Sequence, residues 1–73
     1  MKRIIIEIVR KNKKDQWHSR IKSPNGEIVW SGEERKGNFS KTERTVLSFT
    51  DFILPGHYRI KIIDCGKVVK YVR

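Results

Sequence analysis

The chain contains a single cysteine, Cys65, so no disulfide can form within it. An unpaired thiol suits a reducing compartment. No run of apolar residues approaches the length needed to span a bilayer. The start of the chain, Met1-Lys2-Arg3 followed by Ile4-Ile5-Ile6, briefly imitates a secretion signal. Glu7 interrupts the apolar stretch, however, and Arg10, Lys11, Lys13 and Lys14 stand where small residues should mark a cleavage site. These features lead to the expectation of a cytoplasmic protein that does not act at membranes. Acidic residues are also few: 8 Asp and Glu face 17 Lys and Arg.

Catalytic machinery is equally sparse. His18, His57 and Cys65 are the obvious candidates for a nucleophile and its base, and no glycine-rich elbow or other supporting motif accompanies them. Two histidines and one cysteine, so dispersed, do not make a four-ligand zinc site. Gly26, Gly32, Gly37, Gly56 and Gly66 are all explained as turns, and none forms a phosphate-binding loop. The expectation is a non-enzyme with no cofactor, no metal and no small-molecule substrate.

What is present is positive charge. The formal net charge is +9 on 73 residues, a field that draws nucleic acid, an anionic surface or an acidic protein. The length allows one domain and a thin core. Hydrophobic residues make up 37% of the chain and include two Trp, two Tyr and three Phe, enough for a folded domain. A second copy of the chain would add stability that a disulfide cannot.

Patterning predicts an α+β fold: an antiparallel sheet with elements in the order β-β-β-α-β-β and one helix packed on one face. Arg3 to Lys11 reads as a strand covered on most of both faces, with Ile4, Ile6 and Ile8 on one side and Ile5, Glu7 and Val9 on the other. Gln16 to Ser23 alternates, Ser23-Pro24-Asn25-Gly26 turns, and Glu27 to Ser31 returns. Glu33 to Asn38 has no apolar residue and reads as a mobile loop. Ser40-Lys41-Thr42-Glu43 has capping-box spacing, opening a helix with Val46, Phe49 and Ile53 on one face and Phe52 beside them. Pro55-Gly56 ends it. Tyr58 to Ile63 and Lys67 to Val72 are the last strands, turned by Asp64-Cys65-Gly66, with Arg59 and Lys61 outward.

The hairpin register decides which residues share the helix-free face. A two-residue loop at Asn25-Gly26 requires an amide hydrogen at Pro24, which has none. The alternative is a three-residue loop with a bulge at Gly26, pairing Ser23 with Glu27. Counting back from that pair places Lys22 opposite Ile28 and Arg20 opposite Trp30, and opposed residues share a face. His18, Arg20, Lys22, Ile28 and Trp30 are then outward, while Trp17, Ile21 and Val29 face the helix. With Arg59 and Lys61 added, the face offers cations to phosphates and an indole to bases. The candidate nucleic-acid-binding residues are therefore His18, Arg20, Lys22, Trp30, Arg59 and Lys61, with DNA as the first expectation. The same strip of Ile28 and Trp30 would equally form the centre of a homodimer interface.

The segment Trp17-His18-Ser19-Arg20-Ile21-Lys22-Ser23-Pro24-Asn25-Gly26-Glu27-Ile28-Val29 resembles the core of the small YegP-like domains of unknown function. The likeness runs to about Ile53, with Ser19 standing where that family tends to have a second aromatic. It implies a β-β-β-α unit that pairs with a second copy and brings no established activity. The rival to nucleic-acid binding is a protein-interaction or inhibitor module, of the kind phages encode. Such a module would dock on an acidic surface of a larger host protein through an edge strand, Arg3–Lys11 or Lys67–Val72.

Overall fold

Five of the six residues from Ile4 to Val9 are aliphatic, so this segment cannot leave either side in water without cost. Strands buried on both faces read as near-continuous apolar runs and sit between neighbours. The computed structural model describes residues 3–54 and 56–72, with the side chains of all but Arg35, Tyr71 and Val72. Its elements are β1 (Ile4–Arg10), β2 (His18–Lys22), β3 (Ile28–Ser31), a 3-10 turn at Glu33–Arg35, helix α1 (Phe39–Thr50), β4 (Tyr58–Asp64) and β5 (Lys67–Val72). The spatial order is β3-β2-β1-β4-β5, which puts β1 at the centre.

The fold is α+β as expected, but the sheet is mixed rather than antiparallel, and its spatial order differs from the chain order. β1 pairs with β2 antiparallel and with β4 parallel. The long β2–β3–α1 path between its strands makes the parallel pair possible, since a tight turn can join only antiparallel neighbours. β1 is therefore not an edge available to a partner; the edges are β3 and β5.

The helix covers one side of the sheet. Ile6, Ile8, Ile60 and Ile62 meet Val46 in the buried core, with Trp17, Ile21, Phe39, Ile53 and Tyr58 packed around them. The ring of Phe39 meets Trp17 edge-on, their centroids 5.0 Å apart. The helix begins two residues earlier than the capping-box spacing implies. Asn38 is the N-cap, its side chain accepting a hydrogen bond from the Lys41 amide at 2.8 Å, because an Asn oxygen satisfies an otherwise orphaned N–H as well as a serine does. Phe52, expected beside the core, is 91% exposed. Helix geometry ends at Thr50, so the helical phase that would have carried Phe52 inward does not persist. Pro55, expected as the helix stop, lies outside the described residues, as do Met1 and Lys2 of the signal-like start.

The segment after Gly32 is a 3-10 turn rather than an irregular loop, and Gly37 exchanges backbone hydrogen bonds with Trp17 at 2.8 and 2.9 Å. At the far end, Cys65 and Gly66 both take positive φ, 55° and 81°, between the paired residues Asp64 and Lys67. That is the backbone a two-residue hairpin loop requires. Among the described residues no helix is long and apolar enough to cross a membrane.

Candidate functional site

The Pro24 turn forms as the missing amide hydrogen demands. The Gly26 amide donates to the Ser23 carbonyl at 2.9 Å and the Ser23 amide to the Glu27 carbonyl at 2.8 Å, with Gly26 at φ 92°. Lys22 then pairs with Ile28, also as expected. The next pair is Ile21 with Trp30, and Arg20 faces Ser31. Val29 is skipped: a second bulge one residue into β3 resets the side-chain phase.

That single extra residue moves Trp30 from the helix-free face to the helix side. Its ring meets Phe49 of α1 edge-on, with centroids 5.1 Å apart. Gly32 permits the approach, since a Cβ there would stand 2.8 Å from Trp30 Cη2 and 3.1 Å from the Ser19 carbonyl oxygen. Trp30 is therefore no part of the open face, and the stacking role and dimer-centre role assigned to it there are both withdrawn. Val29, expected to face the helix, is 63% exposed instead. The bulge satisfies Trp30, whose large apolar ring gains an aromatic partner, at the expense of a smaller valine.

The remaining candidates do share the helix-free face. Register aligns three rows across β2, β1 and β4: Lys22, Ile5 and Arg59; Arg20, Glu7 and Lys61; His18, Val9 and Ile63. No helix covers these rows, yet Glu7 is fully buried. Long cationic side chains cover it by lying along the sheet, stems against apolar surface and charges over the carboxylate. Arg20 donates through Nε to Glu7 Oε1. The ammonium groups of Lys22 and Lys61 each stand 3.5 Å from Glu7 Oε2, which has no hydrogen-bond partner of its own.

Burial by itself would raise the Glu7 carboxyl pKa. The Arg20 hydrogen bond and the charges of Arg20, Lys22 and Lys61 outweigh it, and the pKa lies below the ordinary glutamate value. The carboxylate is thus ionised at neutral pH and organises the cations around one point. Sequence pattern puts Glu7 beside Ile5 and Val9 on one face of the strand but does not mark it as the centre of a cation cluster. The usable signal was a lone acid at the middle of an aliphatic strand, in phase with cations on two others.

At the end of the face, beyond Glu7, lies an open depression of about 390 Å³ over the row His18, Val9 and Ile63. His18 is 5% exposed and Val9 7%. Burial lowers the His18 pKa below its usual value, so the ring is neutral at pH 7. Arg10, Lys11, Arg20, Glu33 and Cys65 also line the depression. Of these, Arg10 grips Asp64 with two bonds of 2.7 and 3.0 Å, and its guanidinium lies 4.6 Å from the Trp17 ring centre. This holds the ends of β1 and β4 together.

Cys65 and His57 stand at opposite ends of β4, and the thiol donates to its neighbour Asp64 at 3.2 Å, a bond that raises its pKa. Among the described residues no cluster of three His, Cys, Asp or Glu is placed to hold a metal ion. No family model, curated protein or solved structure matches this chain.

Proposed function

We propose that this chain is a small nucleic-acid-binding module that works through the helix-free face of its sheet, in the cytoplasm and without catalysis. One observation carries the reading. Arg20, Lys22 and Lys61 converge on a single buried carboxylate, so three cations stand over one anion, with Arg59 in the adjoining row, on a surface no helix covers. Held at fixed spacing, these groups meet phosphates with less loss of side-chain freedom than free lysines would. Contacts of this kind position a backbone and do not read sequence.

The test is a salt titration of binding to labelled DNA and RNA. Affinity should fall with log salt by about 0.9 per phosphate contacted on a duplex and about 0.7 on a single strand. Arg59→Glu on the open face should weaken binding several-fold and flatten the slope by about one contact. Arg44→Glu, the same change on the exposed side of the helix, should do neither. Failure to bind any DNA or RNA at low salt overturns the reading. It would turn attention to Phe52 and Leu54, 91% and 71% exposed after the helix, as a surface for a protein partner.

A further inference from the structure

We infer that the depression at the Val9 end of the open face takes one unpaired nucleobase, which makes the preferred partner a single strand rather than a duplex; this rests on the nucleic-acid reading above. The depression joins an apolar floor to charged walls, which suits a base attached to its phosphate. Its floor is the cross-strand row of Val9 and Ile63 with the His18 ring beside them. An apolar floor gains nothing from a phosphate oxygen and loses its water to a flat heteroaromatic ring. The charged groups of the lining are Arg20 on the Glu7 side, Arg10 and Lys11 at the end of β1, and Glu33 from the 3-10 turn. A base edge offers both acceptors and amino donors, and a wall with a guanidinium and a carboxylate can meet both kinds.

The geometry of the face extends this to a path. Successive rows along a strand are about 6.7 Å apart. A chain leaving the depression along β1 therefore passes Arg20 and Lys61 at the first step, then Lys22 and Arg59 at the second. Its base sits over apolar residues while its backbone crosses cations. A duplex cannot do this without extruding a base, since its ring faces are stacked inside and only base edges are open in its grooves.

The experiment compares a labelled single strand of about eight nucleotides with an abasic strand carrying the same number of phosphates, by fluorescence anisotropy at low salt. The intact strand should bind about tenfold more tightly. His18→Ala, with its fold checked by circular dichroism, should close that gap by weakening the intact strand more than the abasic one. Cys65, the chain's one cysteine, reports without mutation: the intact strand should slow its alkylation by N-ethylmaleimide and the abasic strand should not. Equal affinity for the two strands overturns the inference and leaves the phosphate-binding reading standing. Absence of binding by either strand overturns both. If His18→Ala does not fold, the wild-type thiol decides, since undiminished alkylation under saturating intact strand also overturns it.

Discussion

The two faces of β1 bury their residues by opposite means. On one, Ile6 and Ile8 lie under α1 against Val46, Ile60 and Ile62, and burial comes from apolar packing. On the other, Glu7 is as fully buried as those isoleucines with no element above it, enclosed by cationic side chains from β2 and β4. The first face needs shape and tolerates little change in volume. The second needs charge balance, and its covering groups, 21–26% exposed, keep access to solvent. A small chain with material for only one helix thus closes its second face with lysine and arginine stems, and the layer that closes it is itself a cationic surface.

Breaking the apolar face should have the largest effect. Ile8→Ala should cost about 2–5 kcal/mol in urea unfolding, a large share of the total for a chain this short, which is about 4–11 kcal/mol at typical stability per residue.

Glu7→Gln comes next and tests the charged face. It keeps the volume and removes the central charge, leaving Arg20, Lys22 and Lys61 facing one another. Removing one partner of a fully buried pair costs about 3–5 kcal/mol, but these cations can swing outward, so a loss of about 2 kcal/mol is expected. The substitution should also change the acid limb. The folded pKa of Glu7 is depressed, so its contribution is fully present above the unfolded value, about 4.3, and is lost as pH falls through the lower folded value. Wild-type stability should therefore fall below about pH 4.3 more steeply than that of the variant, as followed by urea midpoints across pH. Parallel acid limbs would mean that the cations do not stabilise the carboxylate.

Trp30→Ala is the smallest of the three and tests the boundary between the faces. Trp30 is only partly buried and meets Phe49 edge-on, so about 1–2 kcal/mol should be lost, less than the 3–5 for a fully buried aromatic. Affinity for nucleic acid should stay unchanged. Unchanged stability with weakened binding would return the indole to the open face.

The strands, their inward and outward residues and the helix were legible because they rest on local periodicity. Ile60 and Ile62 lie in and Arg59 and Lys61 out, as alternation requires. The turn at Pro24 was legible because proline lacks a donor, whatever surrounds it. Trp30 was misplaced by one step of the same reasoning. Counting in twos from Ser23 and Glu27 is valid only while the ladder is regular, and the bulge at Val29 has no local marker: no glycine or proline stands there. The indole's partner on the helix side is Phe49, nineteen residues beyond Trp30. The central place of β1 was half visible in its aliphatic run, a pattern that argues against an edge strand.

From its residues alone this chain determined that it would be a basic α+β domain with cations in phase on two strands, since charge and side-chain alternation are properties of the covalent chain. Tertiary structure decided that β1 lies between β2 and β4, that Glu7 gathers those cations, and that Trp30 joins the helix. These depend on which distant segments come to lie side by side, and no spacing within a strand encodes its neighbour.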